Sequence, residues 1–135
     1  MATLADVRAI ALALPEVAET VGGFHGTPTW KVRDKSFVWE RPLRARDVAD
    51  LEALGQRVPS GEIIGVRVAT VDKEEVLATV AGAFHIPHFR GYPAVLVELD
   101  RIEVEELREV VTDGWLVQAP KRLAKAFLDG TAGGA

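Results

Sequence analysis

Thr29-Trp30-Lys31-Val32-Arg33-Asp34-Lys35-Ser36-Phe37-Val38-Trp39-Glu40-Arg41 decides the fold class of this 135-residue chain. On either side of Asp34-Lys35, Thr29–Arg33 and Ser36–Arg41 carry the period-two pattern of half-buried strands. With Asp34-Lys35 as the turn, Val32 faces Phe37 and Trp30 faces Trp39, both tryptophans on the same side of the sheet. Asp-Lys is not a favoured two-residue hairpin turn, which leaves a one-residue slip open. The aromatic pairing still fixes the buried face, because such a slip would expose both tryptophans.

Upstream, Thr3 followed by Asp6 reads as a capping box. It opens a helix with Leu4, Val7, Ile10, Ala11 and Leu14 on one face, stopped by Pro15. Gly22, Gly23 and Gly26 mark an irregular approach to the strand pair. Downstream, Arg44 to Leu54 has helical spacing and ends at Gly55. After the Pro59-Ser60-Gly61 turn, Glu62 to Ala69 is expected as a strand. Asp72 and Glu75 form a second capping pair, ahead of a helix with Val76, Leu77, Val80 and Phe84 inward. His85 to Pro93 is a loop and Ala94 to Leu99 a strand. A helix from Glu103 to Thr112 and another from Pro120 close the chain. One domain spans residues 1–129, and a flexible tail covers residues 130–135.

Helices at both ends of a mostly antiparallel sheet give a two-layer α+β domain. Trp30, Val32, Phe37, Trp39, Ile64, Val66, Val68, Val95, Val97 and Leu99 are expected under the helices. The opposite face then carries Lys31, Arg33, Val38, Glu40, Ile63, Arg67, Leu96 and Glu98. Aliphatics mixed with cations there imply a partner, a second copy in a homodimer, or a covering segment. The protein is otherwise expected as a monomer.

Composition narrows the function classes. The chain has no cysteine, which excludes disulfides, thiolate metal sites and a cysteine nucleophile and fits a cytoplasmic protein. No apolar stretch approaches the ~18 residues of a membrane span. An acid at Asp6 and the lack of a basic leader argue against a secretory signal. A net charge of −4 argues against a protein wrapped in nucleic acid, yet the charge is polarised. Lys31, Arg33, Lys35, Arg41, Arg44 and Arg46 crowd one segment, and seven acids crowd Glu98 to Asp113. Such a dipole can steer an anion, although neighbouring segments can equally neutralise each other.

No motif carries catalysis. His85 and His88 in His-Ile-Pro-His lack a third metal ligand, and two loop histidines facing water or backbone are the simpler reading. His25 has no neighbouring serine, and neither Ser36 nor Ser60 sits in a nucleophile elbow. Glu74-Glu75 and Glu105-Glu106 diverge by ~100° on a helix and read as solvated pairs. No phosphate-binding glycine loop is present. The expectation is a protein without enzymatic activity, metal or cofactor.

Binding signals are stronger. Pro120-Lys121-Arg122 puts two cations in the first turn of a helix, with Lys125 one turn on. The helix dipole already makes that end positive, so the cations cost ~0.3–1 kcal/mol unless an anion joins them. His85, His88, Phe89, Arg90 and Tyr92 form an aromatic and basic loop that rims a ligand pocket or, equally, tucks its rings into the core. Trp115, after Gly114 and between two helices, is a hydrophobic latch in preference to a stacking surface for that pocket.

Four segments together resemble the MmcQ/YjbR family: Pro28-Thr29-Trp30-Lys31-Val32, then Phe37-Val38-Trp39, then His85-Ile86-Pro87-His88-Phe89 with Gly91-Tyr92-Pro93, and finally Trp115 through Leu123. The resemblance implies a compact α+β fold similar to secretion-chaperone and frataxin-like two-layer folds. Family members are commonly labelled DNA-binding. One namesake belongs to an antibiotic biosynthesis cluster, which implies a drug-binding or self-resistance role as the alternative. The family supplies no catalytic residues to carry over.

Two readings follow. In the first, a non-catalytic domain binds duplex DNA through Lys121, Arg122 and Lys125, helped by Arg41, Arg44 and Arg46 or by Lys31, Arg33 and Arg67. Its affinity is expected to be weak and salt-sensitive, ~10⁻⁴–10⁻⁶ M. In the second, a small anionic or planar ligand, or a protein, occupies the open sheet face or the pocket rimmed by His85, His88, Phe89, Arg90, Tyr92 and Trp115.

Overall fold

A computed structural model describes residues 1–22 and 26–132. Helix α1 (Leu4–Leu12) begins at a complete capping box, the Thr3 hydroxyl accepting from the Asp6 N–H and the Asp6 carboxylate from the Thr3 N–H. Glu16, at φ 57°, turns the chain into β1 (Val17–Gly22). That strand is absent from the sequence reading. It lies at an edge of the sheet with most residues exposed, so it needs no apolar alternation.

Strands β2 (Thr27–Val32) and β3 (Lys35–Glu40) form the expected hairpin with a different register. The two turn residues are Arg33 and Asp34, both left-handed at φ 48° and 68°, the twist that suits a two-residue hairpin. Val32 pairs with Lys35 and Lys31 with Ser36; then a bulge at Trp30/Lys31 leaves Phe37 unpaired, and Trp30 meets Val38. Past the bulge the facing of β3 is inverted relative to the expectation. Val38 joins the helix-side core, and Trp39 crosses to the other face.

Helix α2 (Ala45–Ala53), β4 (Ile63–Arg67), α3 (Lys73–Thr79) and β5 (Ala83–Phe84) follow. Next come β6 (Ala94–Glu98), α4 (Val104–Gln118) and α5 (Lys121–Ala132). The six strands form one antiparallel sheet in the order β1-β2-β3-β4-β6-β5.

The structure departs from local expectation at several points. Asp72 makes no side-chain cap, because a 3-10 turn over Thr70–Asp72 leads straight into α3 and holds Asp72 in helical geometry. A capping side chain needs an extended backbone. The α3 helix stops at Thr79, and Phe84 sits in β5 against the second face of the sheet. The α4 helix runs through Gly114-Trp115 to Gln118. A Cβ at Gly114 would lie 2.9 Å from the Arg67 carbonyl oxygen and 3.1 Å from that of Phe37. Glycine there costs ~1 kcal/mol of helix propensity and allows α4 to lie directly on the sheet. The α5 helix extends past Gly130, the start of the expected tail, to Ala132.

The main core lies between the sheet and α1, α4 and α5. Trp30, Phe37, Ile64, Val66, Leu107 and Trp115 are fully buried there. Gln118 Nε2 donates to the Ser36 carbonyl at 2.9 Å, fixing the end of α4 over the hairpin. The other face carries a smaller cluster, in which Leu51 of α2, Ile86 and Phe89 cover Ile63, Ala94 and Leu96. The mixed face of the sequence reading is thus largely closed by the chain's own segments. The buried carboxylate of Glu98 on that face is held bidentately by Arg57 at 3.0 and 2.8 Å.

Candidate functional site

The small cluster is incomplete at one end, and a cavity of about 430 Å³ opens there. Three separate segments line it: Gly22, Thr27 and Thr29 from β1 and β2, Trp39 through Pro42 with Arg44 after β3, and His88, Phe89 and Tyr92 from the loop before β6. Trp39 reaches it only because of the bulge. The residue facing Trp39 across β4 is Gly65, where a Cβ would fall 2.5 Å from the indole ring. Gly65 therefore lets the indole lie flat against β4, and a lone strand glycine was the available sequence signal for that approach.

The opposite wall is aromatic and backed by cations. Phe89 is buried and meets Tyr92 edge to face at 5.3 Å. The Arg41 guanidinium sits 5.7 Å from the Phe89 ring centre, and that of Arg67 sits 5.0 Å from Tyr92. Arg41 is itself buried, with Nη1 donating to the Pro42 carbonyl at 2.6 Å and Nη2 lying 3.0 Å from Asp47. Asp47 also accepts from the Arg44 N–H, so one carboxylate joins the start of α2 to the cavity floor. Arg67 keeps a buried Nε without a hydrogen bond. The guanidinium groups behind the rings put positive charge beside these walls, and Glu40 adds a carboxylate to the same lining.

The predicted pocket residues divide accordingly. His88, Phe89 and Tyr92 line the cavity, whereas His85 and Arg90 face hollows on the far side of the loop with Leu77. Burial holds the His85 imidazole below its ordinary pKa, with further lowering from the charges of Lys73 and Arg90. His85 Nδ1 is buried without a partner. Trp115 is not a pocket residue. It is wholly buried inside α4 under the other face of the sheet, donating to the Pro15 carbonyl at 3.1 Å and packing on Phe127 at 4.9 Å. The latch reading fits that position. His25 lies outside the described residues, among which no three His, Asp or Glu side chains group as a metal site.

The candidate phosphate contacts do not share one surface, and most have partners. Arg33 is paired with Glu16, Arg46 with Asp50 at 3.2 Å, Lys125 with Asp129 at 2.9 Å, and Arg41 with Asp47. Lys31 lies on the second face of the sheet beside Thr29. At the start of α5, Lys121 and Arg122 are exposed, with no acidic partner among the described residues. No described helix is long and apolar enough to cross a membrane.

The YjbR family model matches residues 12–117, which include every strand and all the cavity-lining segments. The chain belongs to the YjbR family. Among relatives of this YjbR protein are uncharacterized protein Rv2570 of Mycobacterium tuberculosis and uncharacterized protein Mb2600 of Mycobacterium bovis. Each is 47% identical over 130 residues, covering 95% of this chain and 97% of the relative. No solved structure matches the chain. The matched span ends just after Trp115 and stops short of the basic start of α5, so the YjbR features it covers are the sheet, the smaller core, the cavity and the part of the main core supplied by the sheet and α4.

Proposed function

We propose that this YjbR protein is a non-catalytic binding module for a small, planar, anionic molecule. The observation that carries the reading is the cavity of about 430 Å³ with Trp39 on one wall, Phe89 and Tyr92 on the other, and guanidinium groups behind the rings. A flat ring enters between Trp39 and Tyr92, and its acidic group turns toward Arg44 at the exposed rim. Cavities of roughly 300–1,000 Å³ lined by aromatics with few convergent polar groups suit such ligands. Among the described residues, no carboxylate is hydrogen-bonded to His88, and no base is hydrogen-bonded to the hydroxyl of Thr27 or Thr29.

Trp39 is the reporter. Of the three tryptophans it alone borders the cavity, while Trp30 and Trp115 are fully buried. A panel of aromatic carboxylates and sulfonates is expected to raise the melting temperature and quench Trp39 emission, and Trp39→Phe removes the quench. A panel that moves neither signal at millimolar concentration ends this reading.

A second reading, weak binding of duplex DNA, rests on exposed Lys121 and Arg122 at the start of α5. Here affinity falls steeply with salt, and Lys121→Glu with Arg122→Glu abolishes it. Equal affinity in the double variant would discard that surface.

A further inference from the structure

We infer that Lys73 is the positioning residue of the cavity's aromatic wall, a clasp that ties α3 to the loop carrying Phe89 and Tyr92. The inference rests on the small-molecule reading of that cavity. Lys73 is the first residue of α3, and its ammonium donates to the Phe89 carbonyl at 2.8 Å and to the Tyr92 carbonyl at 2.7 Å. These are the two residues whose rings form the wall, so the charge is fixed to the backbone directly beneath them. The loop's own restraints are short-range: Phe89 N–H to Ile86, Arg90 N–H to Pro87 and Tyr92 N–H to Phe89. Such turns set local shape and do not tie Phe89 or Tyr92 to another element. The Val68 N–H holds the loop's end at the Pro93 carbonyl at 3.0 Å, and Lys73 holds Phe89 and Tyr92 themselves across 16 and 19 residues of chain.

The ammonium has no carboxylate partner among the described residues, and carbonyl oxygens satisfy it. A charge-assisted bond is about twice as strong as a neutral one, so the clasp holds while Lys73 is charged. Glu74, His85 and Arg90 line the same outer hollow. Burial lowers the Lys73 pKa, so the clasp is expected to release at a pH below the ordinary lysine range.

The test uses 1-anilinonaphthalene-8-sulfonate, a planar aromatic anion, titrated by fluorescence against the wild type, Lys73→Met and Lys73→Arg. Lys73→Met is expected to weaken the probe roughly tenfold, the loss of about one charge-assisted hydrogen bond. Lys73→Arg, which can span both carbonyls and does not titrate, should restore most of the affinity. Wild-type affinity should also fall on alkalinisation, while that of Lys73→Arg stays flat over the same interval. Equal affinity in Lys73→Met and wild type overturns the clasp and leaves the cavity reading intact. No binding by the wild type defeats the cavity reading instead. The clasp is then judged from amide exchange at Tyr92 and Ala94, faster in Lys73→Met if it is correct and unchanged if it is wrong. Should Lys73→Met fail to fold, the same alkaline loss of near-ultraviolet dichroism in wild type and Lys73→Arg overturns it.

Discussion

Trp30 and Trp39 lie nine residues apart on adjoining strands and serve opposite faces of one sheet. Trp30 is sealed under the helices, its indole N–H held by Glu19 at 2.8 Å, and Arg8 holds Glu19 in turn. Trp39 is half-buried, faces glycine across β4 and walls a cavity. The helix side is closed by α1, α3, α4 and α5 over a continuous apolar core. The far side is closed by α2 and a loop, and the gap they leave is the cavity. One face of the sheet supplies stability, and the other supplies a concave surface bordered by guanidinium groups.

Breaking the helix side should show the largest effect. Trp115→Ala empties a fully buried site and loses the bond to Pro15, at a cost of about 3–5 kcal/mol in denaturant unfolding. If it cost less than a cavity-side variant, the division of labour would be wrong. Gly65→Ala probes the other side. Its Cβ must displace the Trp39 indole, which costs about 1–3 kcal/mol and should abolish binding of a planar probe. A variant that keeps full affinity would show that Trp39 is no part of the site. Trp30→Phe sharpens the contrast between the tryptophans: it should lose about 1–2 kcal/mol with the indole bond and leave probe affinity unchanged.

The smallest effect concerns His85, behind the cavity loop. Its folded-state pKa lies below the ordinary 6.5, so the unfolded chain binds more protons in the interval between the two values. Stability therefore rises with pH across that interval and is lost as pH falls from about 6.5 through the lowered value. The wild-type melting temperature should fall more steeply than that of His85→Asn as pH drops through that interval, and the two profiles should run parallel above about 6.5. Parallel profiles within the interval would separate His85 from the acid response.

Much of the fold is legible in the residues. The capping box of Thr3 and Asp6, the helix ending at Gly55, the buried strand Ala94 to Glu98 and the aromatic hairpin follow from local periodicity and turn chemistry. The β1 strand was hidden because an edge strand with an exposed face carries no apolar rhythm. The α4 helix outran Thr112 because Gly114, a helix breaker by propensity, is required by contact with the sheet. Of the site, His88, Phe89 and Tyr92 were legible as an aromatic loop. Trp39 was assigned to the core, and Arg41 to phosphate contact rather than to a buried pair with Asp47. Trp115, read as a latch between helices and alternatively as part of the pocket rim, is separated from the cavity by the whole sheet.

Sequence alone determined the α+β class, the alternation of helices and strands, and membership in a family whose matched span holds the sheet and the cavity. Tertiary structure decided which face each tryptophan serves. A side chain's facing depends on register, and register here turns on one bulged residue, Phe37, placed where left-handed turn geometry at Arg33-Asp34 and close packing of α4 are satisfied together. No local pattern encodes that compromise, because its terms come from residues about eighty positions apart.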